Sequence, residues 1–223
     1  MADYGPLLRG LIHLNQCKVI LEIGVAQADA TVHLCEGARQ TGGTVYGYDV
    51  WSPHGLKTQF PAYSSKEQCE TYLTSKGYSN FQLTKIDTTH PEFEIIINEN
   101  HPSIDFAFID ACHSYQGVKN DFSIIYPNLS MTGIVVFHDT LRIDGSREFM
   151  HDLRTIYNDG TYDIVDFPFG NGERRVGVSL LVKRSYPIID IPMDEICNLT
   201  DRRELIYQKE IDYHNTQIRT GII

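Results

Sequence analysis

Short apolar runs alternate with longer amphipathic segments along most of this 223-residue chain. Residues 18–23 (KVILEI) are apolar on both faces, the pattern of a strand covered on two sides. A Gly/Ala-rich turn follows, then a helix over roughly 31–40. The pattern repeats: residues 44–49, 81–86, 104–109 and 133–137 are strand-like, and 65–76, 91–100, 115–126 and 146–157 carry helical spacing. Gly77 and Pro127 stop two of these helices, and Pro91 stands where a first helical turn tolerates it. Two more strands, 162–167 and 176–182, close the series. Strands that recur with helices between them predict an α/β fold, a Rossmann-like, mostly parallel sheet with helices on both faces. The alternation ends near residue 184, so the sequence divides into a domain at 1–184 and a C-terminal extension at 185–223. The extension is Pro-punctuated and then polar, with Leu205, Ile206, Ile211 and Ile218 at helical spacing. Such a helix packs on its own domain or against a second subunit, as in a homodimer.

Composition narrows the function classes. Apolar residues at 42 % and charged residues at 22 % supply an ordinary core. A formal charge of −10 with no long basic block argues against nucleic-acid binding, which rests on many phosphate contacts. The five cysteines are widely spaced and form no C-x-x-C pair, which argues against a disulfide framework and a structural zinc site. No run approaches the ~18 apolar residues that cross a bilayer. The start, MADYGPLLRG, lacks the pattern of a secretory signal. The expected compartment is the cytoplasm, with no membrane partner.

In parallel sheets of this kind ligands bind outside the carboxyl ends of the strands. Five predicted strand ends carry an acid: Glu22, Asp49, Asp87, Asp110 and Asp139. After the first strand, Gly24, Ala26 and Ala28 offer small side chains at alternate positions, and Asp29 or Thr31 is placed to cap the next helix. The dinucleotide fingerprint G-x-G-x-x-G is absent, because Ala26 and Asp29 stand where it needs glycine. A pyrophosphate there would lie beside Glu22 and Asp29. A cationic sulfonium with an amino-acid tail suits such an acidic turn better. Asp49 is placed to accept hydrogen bonds from ribose hydroxyls, which NAD sites share. An NAD-dependent oxidoreductase and a non-catalytic partner domain are therefore the competing readings.

The segments LEIGVAQADAT, VYGYDVW, IDFAFIDACHSYQGVKNDF and LSMTGIVVFHDT resemble class I S-adenosylmethionine (SAM)-dependent methyltransferases. Within them they are most similar to the macrocin-type and sugar O-methyltransferases of methyltransferase family 24. The resemblance covers roughly residues 18–183 and is most specific at the H-S-Y-x-x-V-x-x-D-F block and the later F-H-D-T. It implies SAM contacts from Glu22, Gly24, Ala26 and Asp110, ribose binding by Asp49, and Asp87 with Thr88 beside the adenine. It implies a seven-stranded sheet with its last strand antiparallel. It also implies a divalent cation, Mg²⁺ or Mn²⁺, on Asp110, His138 and Asp139. Two departures stand out. Ala occupies positions 26, 28 and 111, where many relatives have Gly, and His138 and Cys112 stand where several metal-dependent relatives have an acid.

The expected activity is transfer of methyl from SAM to a hydroxyl of a sugar or glycosylated small molecule. The sulfonium already activates the methyl, so the protein aligns the partners and helps deprotonate the acceptor. A sugar hydroxyl is too weak an acid to ionise unaided, and a cation on hard oxygen ligands lowers its pKa. His113 and His138, with Asp110 beside them, are the candidate catalytic groups. As a ligand, His138 shifts the preference toward Mn²⁺ or Fe²⁺. Structural alternatives accompany each: His113 bonded to the backbone, Cys112 as a small buried side chain, Trp51 and His54 as loop anchors, Tyr115 as a helix start. The loops at 52–63, 141–147 and 167–175 are the expected pocket walls.

Overall fold

A computed structural model describes residues 4–51, 65–169 and 176–184; the extension at 185–223 lies outside the described residues. The strands are β1 (Val19–Ile23), β2 (Thr44–Asp49), β3 (Phe81–Lys85), β4 (Ile104–Ile109), β5 (Leu129–His138), β6 (Tyr162–Phe167) and β7 (Val178–Lys183). The helices are α1 (Gly5–Leu14), α2 (Asp29–Thr41), α3 (Lys66–Ser75), α4 (Pro91–Asn100), α5 (Tyr115–Ile125) and α6 (Asp144–Thr155). One seven-stranded sheet runs β3-β2-β1-β4-β5-β7-β6. Strand pairs from β3 to β5 are parallel, and β7 is antiparallel to both β5 and β6. Strand order reverses between β1 and β4, which opens a cleft at their carboxyl ends.

Alternation along β4 shows why both faces are covered. Ile104, Ala107 and Ile109 join a core with Phe93, Phe122 and Phe149 from α4, α5 and α6. Phe106 and Phe108 point the other way, into a core with Leu8, Ile12, Leu34 and Ala38 from α1 and α2. A strand with period two and apolar residues on both sides fits only between two helical layers. Local signals fix several helix starts. Ser65 and Gln68 form a reciprocal capping box ahead of α3, and the Ser114 hydroxyl accepts from the Gly117 amide at the start of α5.

The structure departs from the sequence expectations at several elements. Helix α1 is additional; its signal is Pro6 in the first turn followed by Leu7, Leu8, Leu11 and Ile12. It lies so close to α2 that a Cβ at Gly37 would come within 3.1 Å of the Arg9 carbonyl and Ile12. Strand β5 begins at Leu129, four residues before the expected start at 133, with Thr132 at φ 70° and a register shift opposite it in β4. Helix α6 begins at Asp144, two residues before the expected 146.

On the inner side of α5, beside Val118 and Phe122, Asp121 is buried with neither carboxylate oxygen in hydrogen-bonding geometry. Burial pushes its carboxyl up to about 6, with the Thr88 and Asn120 side chains opposing and Asp87 adding to the rise. A raised acid pKa means that the folded chain holds this proton while the unfolded chain has lost it. Stability on this account therefore falls as pH climbs from about 4 to about 6 and is level above. Asp121→Asn is expected to match wild type in urea midpoint at pH 4. At pH 7.5 it is expected to exceed wild type, by roughly 2–3 kcal/mol at most.

Candidate active site

The cleft is built first by the loop after β1. Gly24 sits at φ 94°, and a Cβ there would overlap the Asp110 carbonyl oxygen. Cross-strand bonds from the Gly24 amide to the Tyr48 carbonyl (2.9 Å) and from the Asp110 amide to the Ile23 carbonyl (2.8 Å) hold the exits of β1, β2 and β4 together. Ala26 and Ala28 are also left-handed, at φ 48° and 64°. The capping expectation is corrected here. Ala28 occupies the N-cap and has no side chain to accept, so the left-handed turn makes Asp29 the first helical residue and buries Thr31. The first N–H groups of α2 consequently have no side-chain cap.

Asp49, expected at the ribose, is also a clamp on this loop. Its Oδ2 accepts the Ala26 amide at 2.8 Å and its Oδ1 the Trp51 amide at 2.6 Å. A carboxylate has about four lone-pair sites, so acceptor capacity remains. Trp51 is an anchor: its ring is buried against Val25, Ala28 and Cys69, and its indole N–H reaches the Ala26 carbonyl at 3.3 Å. Beneath the turn Glu22 is fully buried, and neither carboxylate oxygen has a hydrogen-bond partner. Burial drives its carboxyl well above the usual range, opposed by the Thr31 hydroxyl and reinforced by Asp110 and Asp49.

Asp110, His113, His138 and Asp139 converge where β4 and β5 end, with one ligand-type atom from each within 4.8 Å of the others. Asp110 Oδ1 receives both imidazoles, at 3.1 Å from His113 Nε2 and 2.8 Å from His138 Nδ1. Asp139 Oδ2 lies 3.3 Å from His113 Nε2 and 3.8 Å from His138 Nδ1. Burial alone would raise the Asp110 carboxyl, but the two imidazoles outweigh it and hold it below the usual range. Burial likewise opposes charge on His138, yet the contact with Asp110 raises its pKa. Asp139 has left-handed backbone at φ 57°, and its Oδ1 and His138 Nε2 are buried without partners.

The other candidates separate from this group. Asp87 accepts the Thr89 amide and hydroxyl at 2.9 and 2.7 Å, which hold it below the usual range and shape the turn after β3. The Thr88 carbonyl takes the Asn120 side-chain amide at 3.0 Å. His113 binds carboxylates, so the backbone-bonded alternative is not what forms. Cys112 is exposed, which corrects the expectation of a small buried side chain; it follows the strand exit and faces outward, 3.1 Å from the Ser114 hydroxyl. Tyr115 donates to Asp152 at 2.8 Å and packs its ring on Phe149, joining α5 to α6. Residues 52–63 with His54, and residues 170–175, lie outside the described residues. One residue escaped the sequence reading. Tyr4, just before α1, lays its ring 4.7 Å from that of His138 and 5.7 Å from Phe108. Burial, then Asp110 and Glu22, keep its phenol protonated.

Residues 21–140 match a family model described as a methyltransferase domain, a span from the end of β1 to just past β5 that contains the turn and all four clustered side chains. The chain belongs to this methyltransferase family. No curated protein shows significant sequence similarity to it. Solved structures agree on the fold. The O-methyltransferase TomG from Streptomyces achromogenes, in complex with SAM, superposes with a TM-score of 0.66 at 15 % identity over 82 % of this chain and 81 % of that one. An O-methyltransferase from Bacillus cereus in complex with SAH gives 0.61 at 16 % identity over 81 % and 80 %. An rRNA methylase from Streptococcus thermophilus gives 0.58 at 11 % identity over 80 % and 95 %. Similarity at this level establishes the methyltransferase architecture and leaves the acceptor to the site itself. The abutment at Gly24 is the joint on which that site rests. Gly24→Ala is expected to destabilise the methyltransferase by about 1–3 kcal/mol from backbone strain, plus the overlap with Asp110. Urea unfolding measures the loss, and an unchanged midpoint would contradict the contact.

Proposed function

We propose that the chain is a SAM-dependent O-methyltransferase that methylates a hydroxyl of a saccharide or glycosylated small molecule, with help from a divalent cation. The observation that carries the SAM reading is Glu22, buried with both carboxylate oxygens unpartnered under a left-handed Gly/Ala turn. An orphaned buried carboxylate costs several kcal/mol unless a cationic group reaches it, and SAM brings an ammonium and a sulfonium. The uncapped amide groups of α2 suit the carboxylate at the other end of the same amino-acid tail. Asp49 retains acceptor capacity for a ribose. TomG and the Bacillus cereus enzyme, whose structures hold SAM and SAH, support the same reading.

The cluster at β4 and β5 fits a cation. Ligand atoms around one ion at bonds of ~2.1 Å stand about 3–4.4 Å apart, and the four here fall within 4.8 Å of one another. Two carboxylates beside two imidazoles are also a donor set that such ions accept. Asp110, His138 and Asp139 would hold the ion, and the imidazole favours Mn²⁺ or Fe²⁺ over Mg²⁺. When bound, the ion supplies charge that makes a hydroxyl easier to ionise. His113 is the base in this scheme: Asp110 and Asp139 fix its Nε2–H, and Nδ1 is then the nitrogen that takes the acceptor proton. A saccharide is favoured because its neighbouring hydroxyls suit such an ion, and because the acidic cleft disfavours an anionic acceptor. No helix among the described residues is long and apolar enough to cross a membrane, which accords with a cytoplasmic enzyme.

Calorimetry with SAH is expected to give one-to-one binding in wild type. About tenfold weaker binding is expected in Glu22→Gln, the loss of one charge-assisted contact. Asp49→Ala is expected to lose binding further, because its removal also frees the loop. Wild type that ignores SAH would end the SAM reading. Titration with Mn²⁺ tests the second part: wild type and Asp139→Ala should differ, and superimposable curves would remove Asp139 from the ion. Mass spectrometry of a saccharide panel incubated with SAM should find a product heavier by one methyl.

A further inference from the structure

Of the four clustered residues, Asp139 is the one on left-handed backbone, a conformation that is unfavourable for a non-glycine residue. Such conformations persist where surrounding contacts over-determine them. Those contacts begin at Thr140, whose side chain is buried and 2.8 Å from the Ser179 hydroxyl of β7. Ser179 is itself fully buried, and its hydroxyl lies 2.5 Å from Asp166 Oδ1 of β6. The same Asp166 oxygen receives Arg154 of α6 at 2.5 Å.

Donors and acceptors assign the direction. Ser179 has one proton, and the carboxylate is the stronger acceptor, so Ser179 donates to Asp166 and accepts from Thr140. A chain ending on a carboxylate that also holds a guanidinium is polarised throughout. The sheet supplies the alignment, since Ser179 pairs with Asp166 on one side and with Phe137, one residue before His138, on the other. The Leu141 amide adds a bond to the Val176 carbonyl at 3.1 Å. Arg154, Asp166 and Ser179 all lie beyond the matched methyltransferase span, which ends at Thr140.

We propose that the Thr140–Ser179–Asp166–Arg154 relay is a positioning device that locks the exit of β5 so that the Asp139 carboxylate faces His113 and the cation site. The part concerning the cation rests on the proposed function; the part concerning His113 does not.

Histidine-labelled, metal-free protein gives the direct reading at fixed pH. Ser179→Ala and Thr140→Val are expected to move the His113 and His138 ring nitrogen resonances by similar amounts. The resonance of His101, buried against Tyr48 on β2, should stay in place. Thr140→Ser, which keeps the hydroxyl, should restore the wild-type spectrum. Asp166→Asn, a milder change, should give a smaller shift in the same direction and covers the case in which the other variants fold poorly. In calorimetry Ser179→Ala is expected to weaken Mn²⁺ about tenfold, the usual range for a support one step from a ligand, and to change SAH affinity less than twofold. Unmoved His113 resonances would overturn the proposal. So would Mn²⁺ and SAH affinities that fall together with the melting temperature, the mark of a merely structural role. Spectral effects in the variants, with a wild type that binds SAH but no Mn²⁺, would leave the relay standing and remove the cation.

Discussion

The contact between the exits of β1 and β4 is what the site depends on. Gly24 has no Cβ, so the turn after β1 lies directly against the Asp110 carbonyl. That closeness brings two sets of carboxyl groups into one cleft: Glu22 and Asp49 on the donor side, Asp110 and Asp139 on the other. Asp110 and Asp49 both raise the cost of ionising Glu22. A fold that buries carboxylates this densely is poised for cations. Among the described residues the imidazoles of His113 and His138 meet that demand at Asp110.

The distribution of unsatisfied groups sharpens this. Most buried polar atoms in folded proteins find partners, so exceptions gathered at one sheet edge have a common cause. Glu22, Asp139 and His138 carry orphaned atoms there. Glu22 is beyond the reach of the histidines, whereas Asp139 and His138 already belong to their cluster. The two sets are separate, Glu22 beneath the turn after β1 and Asp139 with His138 at the ends of β4 and β5; under the proposed function the first would face the SAM tail and the second a metal ion. Asp121 is also orphaned, but it lies on α5 beside the turn after β3.

Much of this was legible in the sequence, for physical reasons. Parallel strands covered on both faces are near-continuous apolar runs, so β1, β2 and β4 stood out with little error at their ends. Ligand-bearing residues follow such strands directly, which placed Glu22, Asp49, Asp110 and Asp139. What stayed hidden depends on long-range contact. No local signal shows that Ala28 takes a left-handed N-cap in place of Asp29 or Thr31, because that follows from the packing of the β1 loop on β4. Cys112 resembled a core residue by type, yet its position just past a strand end turns it outward. Tyr4 reaches His138 only because α1 docks on α2 through Gly37. The long start of β5 was masked by Ser130, Met131 and Thr132, the last two of which are exposed at the bulge.

The acceptor is where shared architecture stops informing, since the same fold serves TomG and an rRNA methylase. Under the proposed function, electrostatics favours one class over another. A nucleic-acid acceptor brings a row of phosphates and needs a positive face to meet them. This chain carries a net −10, and Asp110 and Asp139 stand together at the ends of β4 and β5. Under the proposed function each phosphate near that edge would be repelled, whereas a neutral polyol is not, and its hydroxyl can donate to His113 Nδ1. The charge proposed to suit a sulfonium would thus also disfavour polyanionic acceptors.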